Sequence, residues 1–349
     1  MRELFPEFNR PTSQELKKHW DEGVFIFDAN VLLNLYRFPV SVRKKLMETL
    51  KKINDRIWIP HQVATEFYRN RLEVIYGEER CYDEIINFLT SNEKTLRAKL
   101  EQHSRHPFVR HKRLTKSITD AYNRAIRRVE ELQQKHPKWE QKDPIEAELN
   151  TIFKGKVGPA YDVSTLNKIY DEGAARYEKE IPPGFEDKQK DKEDKTGTRK
   201  YGDLILWMQI MEKAKELKKP IFFITDDQKQ DWWWELSGKT IGARHELVRE
   251  IRNQAGVAFY MFQSDRFMEF AKETLKITFA NEDIAEVKKL REEAKGKDKL
   301  VETAESVASP IKPLAAPSGA IVNPPATSTD SSVVTSAEQT GKSTPEKAI

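Results

Sequence analysis

Acidic side chains follow two strongly apolar segments of the chain. Asp28 comes directly after the run at residues 24–27, and Asp226 and Asp227 come directly after the run at residues 220–225. Neither run alternates with polar residues, which is typical of strands covered on both faces of a parallel sheet. Active sites of open α/β sheets lie at the carboxyl ends of such strands. The sequence therefore predicts a site at one edge of a sheet, with these three acids in it.

Two further acids are expected near the same edge. A weaker strand ends at Pro60, and a helix should begin just after it, so that Glu66 projects from the early turns of that helix. Asp203 opens an amphipathic helix and shares a face with Trp207, one turn further on. A carboxylate at the start of an inward-facing helix stripe would also lie near the strand ends.

Carboxylates that converge on one point repel each other, and burying them unpaired is costly. A hard divalent cation removes that cost, and Mg²⁺ and Mn²⁺ prefer oxygen ligands. Such ions can activate water and stabilise the leaving oxygen when a phosphodiester bond is cleaved. The pattern therefore indicates metal-dependent phosphodiester hydrolysis, a chemistry that needs neither histidine nor cysteine.

Each acid also has an ordinary structural interpretation when it is taken alone. Asp203 could be a helix-start acid that the helix dipole favours. Asp226 and Asp227 could be turn acids, and Glu66 a solvated helix residue. Asp28 is the hardest to explain in this way, because it ends a strongly apolar strand. The ordered combination carries more weight than any single member.

Other enzyme classes fit less well. A haloacid-dehalogenase-type phosphatase would have a second Asp two residues after Asp28, where this chain has Asn30. A phospho-receiver domain also places acids at strand ends, but Glu66 and a long helical insertion do not suit it. The chain has no Gly-x-x-x-x-Gly-Lys phosphate loop of the P-loop ATPases. Three neighbouring histidines are expected at the surface or in contact with RNA, rather than on a metal. They are His103, His106 and His111.

Composition limits the remaining possibilities. The 349 residues include 60 basic and 56 acidic side chains, so any surface for nucleic acid must be local. The single cysteine, Cys81, excludes a disulfide framework and a thiolate zinc site within one chain, and it fits a reducing compartment. No apolar run has the length of a signal peptide or a membrane-spanning helix. A cytoplasmic protein without a membrane partner is expected.

Strand and helix patterns alternate before and after a helical middle section, which favours a doubly wound α/β fold. The middle is helical in composition, and the end is rich in Pro, Ser and Thr, which is typical of disorder. Four parts are predicted: an α/β domain in two pieces, a helical insertion between them, and a charged helix with a disordered C-terminal tail. Their bounds are 1–75 and 181–280 for the domain, 76–180 for the insertion and 281–349 for the last part.

The acidic motifs resemble those of one nuclease family. Phe-Asp-Ala-Asn-Val-Leu-Leu at residues 27–33 resembles the opening of PIN-domain nucleases. Pro-x-x-Val-x-x-Glu-Phe around Glu66 resembles the second acid of the family, and Gly-Asp-Leu-Ile around Asp203 is similar to the third. The strand-end Thr-x-Asp resembles the motif that carries the fourth acid, which favours Asp227 over Asp226.

Three further blocks, at residues 181–184, 201–207 and 231–233, resemble a larger bacterial PIN-like branch that has a helical insertion. The resemblance covers two stretches of the chain, residues 20–75 and 181–275. It implies a sheet of parallel strands and divalent-metal-dependent cleavage of RNA or structured nucleic acid. Short PIN domains lack the insertion, so their tRNA or mRNA specificities are not carried over.

The resemblance implies a role for each acid. Asp28, Glu66, Asp203 and Asp227 are expected to be catalytic and to hold Mg²⁺ or Mn²⁺, with Asp226 as a further ligand. The expected activity is that of an endoribonuclease, so the expected partner is nucleic acid, RNA first. Two alternatives stay open: a structure-specific DNA nuclease, and a non-catalytic nucleic-acid-binding or interaction module with the same fold.

Basic residues are concentrated in the insertion, where Glu101 alone opposes them over residues 99–116. Three arginines of this region are expected to contact phosphates, and a solvated helix face is the alternative. They are Arg110, Arg113 and Arg127. Of the consecutive tryptophans at residues 232–234, one could stack on a base, whereas at least two are expected in the core.

Overall fold

The computed structural model describes residues 5–108, 110–187 and 196–293. The disordered tail expected at the end of the 281–349 part lies outside these residues. The described helices and strands follow each other in this order: α1 (Ser13–Glu22), β1 (Val24–Phe27), α2 (Ala29–Leu33), α3 (Val40–Lys52), α4 (His61–Glu101), α5 (His111–Gln134), α6 (Pro144–Ile152), α7 (Val163–Glu178), α8 (Gly202–Leu217), β2 (Ile221–Ile224), β3 (Trp233–Leu236), β4 (Lys239–Ala243), α9 (His245–Ala255), β5 (Phe259–Phe262) and α10 (Ser264–Thr274). Residues 281–293 are also helical.

The centre of the fold is a parallel sheet of three strands in the order β1-β2-β5. Phe27 pairs with Ile224, and Ile224 pairs with Phe262, so the three strands end at the same level. Every residue of β1 and β2 is buried, because each strand is an unbroken apolar run covered on both faces. The predicted α/β fold with a parallel sheet is confirmed.

The weaker strand expected before Pro60 does not form a ladder, and that part of the prediction is wrong. Ile57 bridges Phe25 of β1, but Ile59 bridges Val157 instead. The segment therefore changes partner after one residue, and Pro60 has no N–H group with which to extend the pairing. The fourth expected strand is present with a small shift, as β5.

Long helices lie in the connection between β1 and β2. The 41-residue α4 begins at His61, as expected, and is about 60 Å long at the usual rise per residue. It packs along α5, which has no buried residue, so the two helices form a hairpin with one face in solvent. The proposed boundary between residues 75 and 76 falls inside α4, and the division into domain and insertion stays a prediction.

The helix α8 packs its apolar stripe against the sheet. Trp207 is fully buried and makes edge contacts with Phe259 of β5 and with Trp232, at centroid distances of 5.1 and 6.4 Å. Trp232 and Trp233 are both buried, which confirms that at least two of the three consecutive tryptophans belong to the core. None of the helices in the described ranges combines the length and apolar character that crossing a bilayer requires.

Candidate active site

Asp28 leaves β1 at the carboxyl end of the sheet and caps α2. Its backbone N–H donates to Ile224 O at 2.9 Å, which continues the strand pairing by one residue. Its Oδ1 accepts from the Ala29 N–H at 2.7 Å, while its Oδ2 accepts from Asn30 Nδ2 and Thr225 Oγ1, both at 2.7 Å. The capping role explains why α2 begins here. The carboxylate is therefore held in one orientation by donors from two strand ends.

The environment of Asp28 favours its protonated form. The pKa of Asp28 is raised to about 8, first by burial and next by the charge on Glu66, while the hydrogen bond from Thr225 opposes the rise. The charges on Asp203 and Asp227 make smaller contributions to the same rise. Glu66, Asp203 and Asp227 are therefore close enough to Asp28 for their charges to change its pKa.

Glu66 reaches the site from the second turn of α4. Gln62 Nε2 donates to Glu66 Oε1 at 2.6 Å, one turn earlier on the same helix. A Cβ atom at Gly202 would lie 3.0 Å from the same oxygen, so a larger residue at the start of α8 would crowd the Glu66 carboxylate. The Gln62 N–H also donates to Gln209 Oε1 of α8 at 3.1 Å. These contacts fix the first turns of α4 and α8 against each other.

A lysine lies among three further carboxylates. Lys229 Nζ is 2.9 Å from Asp187 Oδ1, 3.0 Å from Asp203 Oδ2 and 3.2 Å from Asp227 Oδ2. Burial alone would lower the pKa of Lys229, but the charges of Asp203, Asp227 and Asp187 raise it well above its ordinary value. The side chain is therefore an ammonium ion at neutral pH. Trp232 Nε1 also donates to Asp203 Oδ2, at 3.2 Å.

Asp231 is a further acid beside this group, and it is completely buried. Its Oδ2 accepts from the N–H groups of Gly184 at 2.8 Å and Glu186 at 3.3 Å. Its Oδ1 has no partner among the described residues. The pKa of Asp231 is raised to about 7, first by burial and then by the charge on Asp203, while the charge on Lys229 opposes the rise. A buried carboxylate oxygen without a donor is costly, and it marks a place that a cation would suit.

Asp226 has different partners from its neighbour Asp227. Its Oδ1 accepts from the N–H of Ser264 at 3.0 Å, and its Oδ2 accepts from Ser264 Oγ at 2.7 Å and from Asn34 Nδ2 at 3.0 Å. Ser264 is the first residue of α10, so Asp226 ties the end of β2 to the start of that helix. The expectation that Asp226 adds a metal ligand gains no support from these contacts and stays a prediction.

The oxygen atoms of these acids are ligands that a hard cation would bind. Their arrangement in the structure is that of salt bridges to Lys229. Within the described ranges, no three His, Cys, Asp or Glu side chains are arranged as a metal site. The Lys229 ammonium is the cation that Asp203 and Asp227 contact instead. The groups that could bind a metal are all carboxylate oxygens, which Mg²⁺ and Mn²⁺ prefer as ligands. One of these oxygens, on Asp231, has no hydrogen-bond partner among the described residues.

A family model described as a PIN-like domain matches residues 24–247, which is more than half of the chain. The chain belongs to the PIN-like domain family. The family match begins at the first residue of β1 and includes Asp28, Glu66, Asp203 and Asp227. No curated protein and no solved structure matches the chain.

The three arginines expected to contact phosphates lie on the helical hairpin of the PIN-like domain, and all three are exposed. Arg110 and Arg113 lie at the start of α5, and Arg127 lies about 25 Å further along that helix. The neighbouring histidines are near the same end of the hairpin, where His111 approaches Glu101 at 3.8 Å. None of these histidines is part of a metal-binding group among the described residues.

Sequence reasoning missed three residues that the structure places at the candidate site: Lys229, Asp187 and Asp231. Lys229 follows Asp227 by two residues, and a basic residue so close to a strand-end acid is a signal that could have been used. Asp187 lies beside a dense mixed-charge segment, where no single acid stands out. Asp231 lies in the block at residues 231–233 that resembles the larger PIN-like branch, but its hydrogen bonds from Gly184 and Glu186 come from a distant part of the chain and could not be read from that block.

Proposed function

We propose that this PIN-like domain is a divalent-metal-dependent nuclease, and specifically an endoribonuclease. The observation that carries the proposal is the mutual proximity of Asp28, Glu66, Asp203 and Asp227, which come from different elements and meet beside the carboxyl ends of β1 and β2. A stabilising surface cluster would alternate acids with bases. Here the charges on Glu66, Asp203 and Asp227 raise the pKa of Asp28, which is a costly arrangement and is common at functional sites.

The same four acids would hold Mg²⁺ or Mn²⁺, with Asp231 and Asp187 close by. When bound, such an ion supplies an activated water and stabilises the leaving oxygen of a phosphodiester. The protein's own contribution is orientation: Thr225 and Asn30 fix the carboxylate of Asp28. The indole N–H of Trp232 and the ammonium of Lys229 hold one oxygen of Asp203.

We further propose that the helical hairpin binds the nucleic acid. Its exposed arginines are well suited to phosphates, since such contacts depend on charge and are independent of base sequence. The proposal of RNA as substrate rests on the resemblance of the acidic motifs to those of PIN-domain nucleases. The test must therefore include DNA of matched sequence.

The test is a cleavage assay on labelled RNA and DNA of the same sequence, each as a linear and as a closed circular strand. Reactions contain Mg²⁺, Mn²⁺ or a chelator. We expect cleavage of RNA with either metal and none with the chelator. A closed circle has no ends, so its cleavage demonstrates endonuclease action.

The site assignment is tested by Asp28→Asn, which keeps the size of the side chain and removes its charge. We expect this variant to fold and to lose cleavage. Asp162→Asn is the matched control, because Asp162 is also a helix N-cap but lies on the exposed start of α7. Full activity in Asp28→Asn would refute the site. Cleavage of DNA alone would favour the DNA nuclease, and binding without cleavage would favour a non-catalytic module.

A further inference from the structure

Lys229 occupies the position in the site where charge balance calls for a cation. Its ammonium is within 3.2 Å of carboxylates from three separate parts of the chain: Asp187, Asp203 and Asp227. Its side chain is only 26% exposed, and the three carboxylate side chains are 5%, 20% and 17% exposed. These contacts differ from a solvent-exposed salt bridge, because all four side chains are largely removed from water.

The local backbone directs Lys229 into the site. Its N–H donates to Asp227 Oδ1 at 2.8 Å, so a side-chain-to-backbone hydrogen bond holds the turn after β2. Its carbonyl oxygen accepts from the N–H groups of Trp232 and Trp233 at 3.2 and 3.3 Å. Both tryptophans are buried, and the indole N–H of Trp233 also donates to the carbonyl of Asp227 at 2.6 Å. The core therefore anchors the turn on both sides of the lysine.

We propose that Lys229 is a tethered cation that holds the carboxylates of the metal-free protein together and competes with the divalent ion for Asp203 and Asp227. The proposal rests on the proposed function, since it concerns the metal affinity of the same site. Lys229 thereby sets the affinity for metal lower than the carboxylates alone would give.

The competition follows from distances and charge. Mg²⁺ requires its oxygen ligands at about 2.1 Å. The oxygens of Asp203 and Asp227 that would approach it are already 3.0 and 3.2 Å from the ammonium. A divalent ion on those oxygens would therefore be only a few ångströms from a positive charge in a site with little water, where repulsion is strong. The ammonium must move away before the metal can bind fully.

The experiment compares the affinity of Lys229→Met and of the wild type for Mn²⁺ in the absence of nucleic acid. Binding is measured by titration calorimetry and by the electron spin resonance signal of free Mn²⁺. Methionine keeps most of the side-chain length and removes the charge. We expect Lys229→Met to bind Mn²⁺ more tightly by about fivefold or more, the lower end of the range usual for linked binding events. The metal-free variant should melt at a lower temperature than the wild type, and Mn²⁺ should raise its melting temperature by more.

Lys213→Met is the matched control. Lys213 is similarly shielded, with 20% exposure, and pairs with Glu216 at 2.9 Å. It lies ten residues along α8 from Asp203, which is about 15 Å. This variant should bind Mn²⁺ as the wild type does. Should the metal-free Lys229→Met protein be too unstable to titrate, Lys229→Gln removes the charge while keeping a hydrogen-bond donor, and the same increase in affinity is expected.

The outcomes separate this inference from the proposed function. If the wild type binds Mn²⁺ and the Lys229 variants bind it equally or more weakly, the competition is refuted, while the metal-dependent nuclease stands. If neither the wild type nor the variants bind Mn²⁺, both the competition and the metal-dependent function are refuted. Tighter binding that Lys213→Met shares would also refute the inference, because the effect would then reflect net charge alone.

Discussion

Replacing Asp28 by Asn should make the metal-free protein more stable at high pH and less dependent on pH. The reason is the sign of the pKa shift: the pKa of Asp28 rises from an ordinary value of 3.8 to about 8 in the folded protein. Between those values the folded protein keeps a proton that the unfolded chain has lost. This carboxyl therefore lowers stability as pH rises from about 4 to about 8, and its cost is complete above pH 8.

The size of the effect follows from the same shift. A difference of one pKa unit corresponds to about 1.4 kcal/mol, so the full cost of ionising Asp28 in the folded protein is on the order of 5 kcal/mol. Asparagine avoids that cost but brings an N–H₂ group toward Asn30 and Thr225, which already donate to Asp28. One mismatched donor costs about 1–3 kcal/mol at every pH. The variant should therefore be slightly less stable than the wild type at pH 5 and more stable by about 2–4 kcal/mol at pH 9.

The assay is urea unfolding of both proteins in a chelator at pH 5, 7 and 9. Asp162→Asn serves as the control, because backbone and side-chain hydrogen bonds with Thr165 lower the pKa of Asp162. Because a lowered pKa means that the ionised carboxylate adds stability, Asp162→Asn should not gain stability relative to the wild type as pH rises. A difference between Asp28→Asn and the wild type that stays constant from pH 5 to 9 would refute the reasoning. So would a variant that is less stable than the wild type at pH 9.

Three further changes test the packing near the site and the nucleic-acid surface proposed for the hairpin. Glu250→Ala should cost about 3–5 kcal/mol in urea unfolding, because it leaves the buried guanidinium of Arg176 without the carboxylate that it contacts at 2.7 Å; a cost below 1 kcal/mol would contradict this. Gly184→Ala should lower the melting temperature, because its φ is +92° and the added Cβ would lie 2.1 Å from the hydroxyl of Tyr177; Gly242→Ala, with open space around it, is the control and should melt normally. Changing three exposed arginines of the hairpin to Ala should weaken nucleic-acid binding across sequences and reduce its salt dependence, and an unchanged salt slope would make this a plain solvated surface. They are Arg110, Arg113 and Arg127.

The parallel strands and their acids could be predicted because each is a local signal. The run at residues 24–27 is apolar throughout and ends in Asp28, and the structure has a buried strand with the same bounds. The helix that Asp203 opens was recognisable from its apolar stripe, and it begins at Gly202. In both cases the information lies within one turn or one strand of the residue concerned.

The elements that were missed depend on contacts between distant residues or on a turn. The strands β3 and β4 join through Ser237 and Gly238, both with positive φ, which is the geometry of a tight hairpin turn. The Ser-Gly pair signals such a turn, but the tryptophans before it read equally well as core residues. Residues 57–59 have a strand-like composition and yet pair with two different partners, a choice that composition cannot reveal.

The pair Asp226 and Asp227 shows how much of the site the sequence can predict. Both acids follow the same strand, but their side chains contact different groups. The motif resemblance favours Asp227 as the site residue. The structure gives a physical reason for the difference: Ser264 and Asn34 bind Asp226, whereas Asp227 contacts Lys229.

The stability cost of such a site has to be offset within the same fold. Four mutually repelling acids are held in place by groups that donate to them, with Thr225 and Asn30 at Asp28 and Lys229 at Asp203. The fully buried strands β1 and β2 supply a rigid base that does not depend on the charge state of the acids. The electrostatic cost of the acids and the apolar packing that compensates for it therefore lie in different parts of the structure.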